Sequence, residues 1–165
     1  MNIIWHGHSC FEITGKDGTI VFDPYQANSV PGLNSLKLKA NLVLCSHEHD
    51  DHNARNCVEV APKDFKVTFI ETYHDHHQGS HQGKNTIHIV DFEDLKVVHM
   101  GDIGCMMDDV SKLKNCDVLM IPIGGYYTID TKEALKYIER IQPRIVIPMH
   151  YHSHEFGYDV LSTNE

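Results

Sequence analysis

The stretch Ser46-His47-Glu48-His49-Asp50-Asp51-His52 directly follows a short apolar run and packs three imidazoles among carboxylates. In an extended chain, side chains two residues apart point to the same side, so His47 and His49 can bind one cation together. A turn into a helix beginning near residue 53 would direct Asp51 and His52 toward a neighbouring position. The spacing therefore predicts two adjacent metal positions rather than one.

This segment is too small to complete two catalytic metal positions. Each position needs about three protein ligands, with one further position left open for water. There are three further candidates, each following another apolar run: His74, Asp102 and His150. Binding and catalytic residues usually lie on loops at strand ends. We predict that two ligand sets share one bridging carboxylate: His47, His49 and His74 at one metal, Asp51, His52 and His150 at the other, and Asp102 between them.

Other interpretations of the histidine-rich segment are a solvated loop, a low-affinity nickel or zinc store, a single-metal site and a structural zinc site. A structural zinc site is closed by four ligands, which are typically rich in cysteine. The five cysteines contain no C-x-x-C pair and are not spaced for such a site. We favour the two-metal catalytic site.

The composition is that of an ordinary globular protein, with 165 residues and 41% hydrophobic side chains, and it predicts a single domain over residues 1–165. The 14 histidines equal Lys and Arg together, which makes metal chemistry the first hypothesis to test. The net charge of −9 disfavours binding to nucleic acid. No apolar run approaches the roughly 18 residues of a membrane helix. Together with the unpaired cysteines, these features predict a cytoplasmic protein that does not contact membranes.

The hydrophobic pattern predicts a mixed α/β fold, with hairpins in the first part and alternating strands and helices in the second. The clearest helix spans Thr131–Ile141, with Asp130 as N-cap, Glu133 three residues later, and an apolar stripe that includes Leu135. Weaker helices are expected over residues 53–60 and 106–113. Nine strands are expected, over residues 2–5, 10–13, 19–22, 41–45, 66–70, 85–90, 95–99, 117–121 and 144–147.

Several motifs, taken in order, resemble those of the metallo-β-lactamase superfamily. The series is His47-x-His49-x-Asp51-His52, an isolated histidine, Gly101-Asp102, and Pro148-Met149-His150. The shorter strings Gly7-His8-Ser9, Phe22-Asp23-Pro24, Tyr73-His74-Asp75 and Pro122-Ile123-Gly124-Gly125 resemble more narrowly the zinc-dependent hydrolases that include L-ascorbate-6-phosphate lactonase. The resemblance runs from about residue 3 to residue 150.

This resemblance implies a four-layer αβ/βα sandwich with the metals at one edge of two sheets. Compared with that family the chain is shortened at the C-terminus, since only fifteen residues follow His150. Either that edge stays open or another subunit covers it, and we prefer a homodimer. The family context Tyr-His-Asp favours His74 as the third ligand, with His76 in reserve.

Further residues are expected around the ligands. Asp23 stands at a strand end, where a carboxylate can accept the second N–H of a ligating imidazole, and we place His8 beside it. The alternative for Asp23-Pro24 is a simple turn. Tyr127, after the strand that precedes Gly124-Gly125, is a candidate to contact substrate, although a plain glycine turn is the alternative there.

These residues predict a metal-dependent hydrolase acting on a small ester, lactone or phosphoester. Two divalent cations can activate a water molecule near neutral pH, and Asp51 is the candidate to orient it and handle its proton. Zinc suits the histidine-rich set, and manganese or iron are alternatives. The competing hypotheses are a non-catalytic metal buffer or sensor, and a phosphodiesterase or nuclease of the same superfamily.

Overall fold

The computed structural model describes residues 1–163, in which eleven β-strands and one α-helix form. Nine of the strands overlap the nine predicted ones, and the helix has the predicted bounds. The elements are β1 Asn2–Gly7, β2 Cys10–Gly15, β3 Gly18–Phe22, β4 Leu38–Ala40, β5 Leu42–Leu44, β6 Val58–Val60, β7 Lys66–Tyr73, β8 Lys84–Phe92, β9 Leu95–His99, β10 Val118–Pro122, α1 Thr131–Ile141 and β11 Ile145–Met149.

Two sheets carry most of the chain. The first has the order β1-β2-β3-β5, in which β1, β2 and β3 are antiparallel and β5 runs parallel to β3. The second has the order β11-β10-β9-β8-β7, in which β9, β10 and β11 are parallel. All five residues of β10 are buried, as expected for a central strand covered on both faces.

The strand directions bring many carboxyl ends to one edge. In the first sheet β1, β3 and β5 run the same way, and in the second β7, β9, β10 and β11 do so. The side chains that follow these strands are therefore presented together, as the strand-end argument predicts.

The main core lies between the two sheets, where Phe11 and Phe22 of the first sheet pack with Val90 and Met120 of the second. A second apolar layer joins the outer face of the second sheet to α1. Loop residues, with β4 and β6, cover the outer face of the first sheet. The predicted α/β sandwich is confirmed, but loops and short strands take the place of a helical layer on that face.

The two weaker predicted helices were wrong. Within residues 53–60 only Arg55–Cys57 forms a single 3-10 turn, after which the β-branched Val58 and Val60 pair with β4. Residues 106–110 are irregular and residues 111–113 form a turn. Side chains of α1 bind the backbone there: Tyr137 accepts from the Met107 N–H, and Arg140 donates to the carbonyls of Met107 and Asp108.

Helix α1 begins with the predicted capping box, in which Asp130 and Glu133 each accept from the other's backbone N–H. Its buried face consists of Ala134, Tyr137 and Ile141. Leu135, predicted in the apolar stripe, is instead 55% exposed, and Tyr137 takes the central position. With eleven residues, the helix found in the described part of the chain is too short to cross a membrane.

Candidate metal centre

Each predicted ligand lies just beyond the carboxyl end of a strand, at the shared edge of the two sheets. The side chains come from six strand ends: His8 after β1, Asp23 after β3, the segment 47–52 after β5, His74 after β7, Asp102 after β9 and His150 after β11. The structure therefore brings together residues that lie more than a hundred positions apart in the chain.

A left-handed backbone turn directs several of these side chains inward. His8, Asp23 and His150 have φ values of 53°, 42° and 53°, and Gly101, before Asp102, has 56°. Such conformations cost non-glycine residues roughly 1–3 kcal/mol each and cluster at functional sites. Gly101 tolerates no side chain, because a Cβ there would stand 2.3 Å from Asn85 Oδ1.

Asp102 lies at the centre of the histidines. Its buried Oδ2 is 3.0 Å from Nε2 of both His52 and His150, 3.3 Å from Nε2 of His74, and 3.9 Å from Nε2 of His47. The Asp102 backbone N–H donates to Asn85 Oδ1 at 2.8 Å, which holds the turn. The carboxylate thus lies among the imidazoles of both predicted ligand sets, and its bridging role stays a prediction.

Two groups of ligand atoms flank Asp102, each with its members within 4.8 Å of one another, and a third group, made of His47, His52 and Asp102 itself, connects them. The first contains the predicted trio of His47, His49 and His74. The second contains the predicted Asp51, His52 and His150, and also His8. The sequence places His8 around the ligands, and its Nε2 lies 3.1 Å from Oδ2 of the ligand candidate Asp51.

The donor set fits metal ions. Four buried polar atoms at the centre make no hydrogen bond: Nε2 of His47, His52 and His150, and Oδ1 of Asp102. Nε2 of His52 and of His150 face Asp102 Oδ2 at 3.0 Å, within ion-pair distance but without hydrogen-bond geometry. Buried polar atoms almost always have partners, because an unmet lone pair in a low-dielectric interior is costly. Convergent imidazole and carboxylate lone pairs that lack protein partners are what a divalent cation requires.

Hydrogen bonds on the far side of the rings orient the imidazoles. Asp23 is fully buried and accepts from the Ser46 N–H at 2.6 Å, from Ser46 Oγ at 2.6 Å and from His52 Nδ1 at 2.9 Å. Because Ser46 gives its only hydroxyl proton to Asp23, His47 Nδ1 donates to Ser46 Oγ at 2.9 Å. His74 Nδ1 donates to the Tyr127 carbonyl at 2.9 Å. All three rings thus direct Nε2 toward Asp102.

His47, His8 and the central carboxylate have the protonation states that metal binding needs, whereas His52 must first lose a proton. Burial lowers the pKa of His47 to about 3 and that of His8 to about 4. Burial opposes ionisation of Asp102, but His150 and His52 outweigh it and hold its pKa well below the usual range. Burial also opposes protonation of His52, yet Asp102, Asp51 and Asp23 raise its pKa. Without a cation, a proton on His52 therefore balances the carboxylates, and a metal ion would replace it.

Replacing Asp23 by asparagine is expected to weaken zinc binding about 10- to 100-fold, the usual effect of losing a hydrogen-bond partner of a metal-ligating histidine. The amide has one acceptor oxygen instead of two, so it cannot keep all three hydrogen bonds. With its oxygen toward the Ser46 N–H, its NH2 group faces His52 Nδ1 and His52 loses its fixed tautomer. Competition with a zinc chelator measures the affinity. The matched control is Asp91→Asn, an exposed carboxylate that pairs with Lys66. Unchanged affinity in Asp23→Asn would contradict this role.

A cavity of about 170 Å³ opens onto the centre. Its walls include His49, Asp51, His74, Gln82, Tyr127 and Tyr158. Tyr127 was the predicted substrate contact, and it does line this cavity. Sequence reasoning missed Gln82 and Tyr158. The Tyr158 hydroxyl donates to the Ser29 carbonyl at 2.7 Å and lies 3.3 Å from Asp51 Oδ2.

The reserve ligand His76 lies outside the cluster. Its side chain is 58% exposed, and its Nε2 is 3.8 Å from Glu133 Oε2 of α1. His74, in contrast, is buried beside Asp102. The position directly after β7 therefore distinguishes the two, as the sequence pattern predicts.

Known proteins resemble this chain over most of its length. A family model described as a β-lactamase superfamily domain matches residues 2–150. A UPF0173 protein of Pyrococcus abyssi is 30% identical over 95% of this chain and 86% of its own length. A UPF0173 metal-dependent hydrolase of Thermoplasma acidophilum is 29% identical over 93% of this chain and 84% of its own length.

A crystal structure of a Thermotoga maritima protein of the metallo-β-lactamase superfamily has 27% sequence identity and a TM-score of 0.74, and the match covers 98% of this chain and 80% of that protein. The alignments with the two relatives span 189 and 191 positions, more than the 165 residues present here, so both relatives carry residues inside the matched region that this chain lacks. With the family model matching most of its length and the expected fold in place, the chain belongs to the metallo-β-lactamase superfamily.

Proposed function

We propose that this protein is a binuclear metal-dependent hydrolase that acts on a small ester, lactone or phosphoester. One observation carries the proposal: two groups of ligand atoms flank the shared carboxylate of Asp102 and face one small cavity. The name metal-dependent hydrolase given to the Thermoplasma acidophilum relative supports it. A metal store has no need of a shared bridging carboxylate beside a cavity.

We propose the two metal-binding sets that the sequence predicts. His47, His49 and His74 would hold one ion, Asp51, His52 and His150 the other, and Asp102 would contact both. Zinc is the favoured metal, and manganese or iron also suit imidazole and carboxylate ligands. Bound divalent cations supply Lewis acidity, which polarises a substrate oxygen and lowers the pKa of water toward about 7.

Asp51 is the proposed catalytic residue. Its carboxylate lines the cavity and is ionised, since His52 and His8 outweigh the effect of burial and lower its pKa. His8 Nε2 donates to Oδ2, which fixes the orientation of the carboxylate. Asp51 can therefore accept a hydrogen bond from an entering water molecule and take up its proton during hydrolysis.

The tyrosines on the cavity wall are proposed to position the substrate. Burial raises the pKa of Tyr158, so its phenol keeps its proton over the whole physiological range. Tyr127 lies beside it, with ring centroids 6.2 Å apart. Because the Tyr158 proton goes to the Ser29 carbonyl, donation to a carbonyl or phosphoryl oxygen of the substrate falls to the Tyr127 hydroxyl. The small cavity limits the reacting part of the substrate to a few atoms.

Elemental analysis and a generic substrate panel test the proposal. We expect about two metal ions per chain and turnover of at least one class among p-nitrophenyl phosphodiesters, lactones and thioesters. Chelator should abolish this turnover, and zinc or manganese should restore it. Lactones belong in the panel because several motifs resemble those of the hydrolases that include L-ascorbate-6-phosphate lactonase. Tight metal binding without turnover of any class would overturn the hydrolase and favour the metal buffer.

A matched pair of variants makes the test specific. His74→Ala removes a ligand from the first group, whereas His76→Ala removes an exposed imidazole two residues away. We expect the metal content and turnover to fall only in His74→Ala. Equal losses in both variants would contradict the ligand assignment.

The cellular setting and assembly state are part of the same proposal. Cys10, Cys45, Cys57, Cys105 and Cys116 all carry free thiols, which suits the reducing cytoplasm. We further propose a single domain over residues 1–165 that forms a homodimer and acts on a small molecule. Light scattering of the purified protein checks the assembly, and an 18.8 kDa species would exclude the dimer.

A further inference from the structure

A fully buried histidine outside both ligand groups connects the loops that carry the metal centre. His99 is the last residue of β9, and its ring has no solvent exposure. Its Nε2 lies 2.9 Å from the Ser9 carbonyl oxygen, and the Gly101 N–H donates to its Nδ1 at 3.2 Å. Because a carbonyl only accepts and an N–H only donates, the ring is neutral and carries its proton on Nε2.

The two hydrogen bonds reach the two sheets. Ser9 directly follows His8, in the turn between β1 and β2 of the first sheet. Gly101 directly precedes Asp102, at the end of β9 in the second sheet. One imidazole ring therefore ties the backbone beside His8 to the backbone beside the central carboxylate.

The ring is also fixed from the first sheet by a stacking contact. His99 stacks on Phe22 with ring centroids 5.1 Å apart and planes at 4°. Phe22 directly precedes Asp23, whose Oδ2 lies 3.9 Å from His99 Nδ1. Through Ser9, Gly101 and Phe22, the ring contacts a neighbour of each of three site residues, although it belongs to none of the ligand groups.

We propose that His99 is a positioning residue that holds the His8, Asp23 and Asp102 loops at the spacing metal binding requires, without touching the metal. An apolar side chain would fill the same volume but would leave the Ser9 carbonyl and the Gly101 N–H without partners. The inference rests on the proposed metal centre. Loss of these hydrogen bonds is expected to move Asp102 relative to the first sheet and so weaken metal binding.

The neighbouring strand supplies a matched control. His88 of β8 is the register partner of His99 across the β8–β9 pair and is 2% exposed. Its ring packs against Phe22 and Phe69, and its Nδ1 makes no hydrogen bond. Replacing His88 or His99 by phenylalanine makes the same chemical change at adjacent buried sites, but only His99 connects the loops.

The test compares zinc affinity and the visible absorption of the cobalt-loaded protein in both phenylalanine variants. We expect His99→Phe to bind zinc about 10- to 100-fold more weakly, the usual loss when a residue that orients metal ligands is replaced. The spectrum of the cobalt-loaded variant should also differ from that of the wild type. His88→Phe should retain the wild-type affinity and spectrum. Wild-type binding in His99→Phe, or an equal loss in both variants, would overturn the proposal.

Two further measurements keep the test decisive. If His99→Phe does not fold, His99→Asn and His99→Gln replace it, since asparagine can accept from Gly101 and glutamine can donate to Ser9. Each keeps at most one of the two bonds and should bind zinc more weakly than His88→Phe, and wild-type affinity in both would overturn the proposal. In the metal-free wild type, nitrogen NMR should show the Nε2-protonated tautomer of His99, and a proton on Nδ1 would refute the proposal even if the protein binds no metal. Absence of metal binding alone would refute the proposed function.

Discussion

Replacing Asp102 by alanine is expected to reduce the metal content from about two ions per chain to fewer than one and to lower turnover by at least about 10²- to 10³-fold. Its Oδ2 lies within 4.0 Å of four imidazole nitrogens that belong to both ligand groups. Removal of this single carboxylate therefore disturbs both groups at once. Elemental analysis and steady-state kinetics measure the two effects.

Two variants serve as controls for Asp102→Ala. Asp91→Ala removes an exposed carboxylate of β8 and should leave both measurements unchanged. Asp102→Asn keeps the shape and one acceptor oxygen, so we expect it to retain more metal than the alanine variant. Two tightly bound ions in Asp102→Ala would show that this carboxylate does not bridge the groups.

Replacing Asp51 by alanine is expected to lower turnover by about 10²- to 10⁴-fold while the protein stays folded, because its side chain lines the cavity rather than the core. The His47, His49 and His74 group is intact in this variant, so at least one metal ion should remain. Circular dichroism checks the fold, elemental analysis the metal, and the kinetics of the best panel substrate the activity.

The adjacent carboxylate is the natural control for this prediction. Asp50 has an exposed side chain, and its backbone carbonyl accepts from the Gln26 N–H, an interaction that a side-chain change leaves in place. Asp50→Ala should therefore retain wild-type activity. Full turnover in Asp51→Ala would remove Asp51 from the catalytic role and leave it at most a ligand.

Most elements of the fold could be predicted because their signals are local. Continuous runs of branched apolar residues mark the buried strands, and the capping box marks the start of α1. Two errors show the limit of such signals. Residues 106–113 use hydrogen bonds from α1 in place of intrahelical ones, and the short strands β4 and β6 depend on each other for pairing.

The candidate site was predictable to the extent that it follows strand ends. The side chains that follow β5, β7, β9 and β11 lie together at one edge because these strands end there. They belong to the motif after β5 and to His74, Asp102 and His150. Their assignment as ligands stays a prediction that the metal analysis tests. No local pattern marks Tyr158, which reaches Asp51 from 107 residues away.

The sequence by itself determined which residues can bind metal and that they lie at the carboxyl ends of strands. Residue types, hydrophobic periodicity and strand ends are all properties of short segments. Only the tertiary structure decided which atoms meet. His8 reaches Asp51 across 43 residues, and His99 contacts Ser9 across 90. Such contacts depend on how the two sheets pack face to face. That packing depends on the side chains of the whole core together, and no short segment determines it.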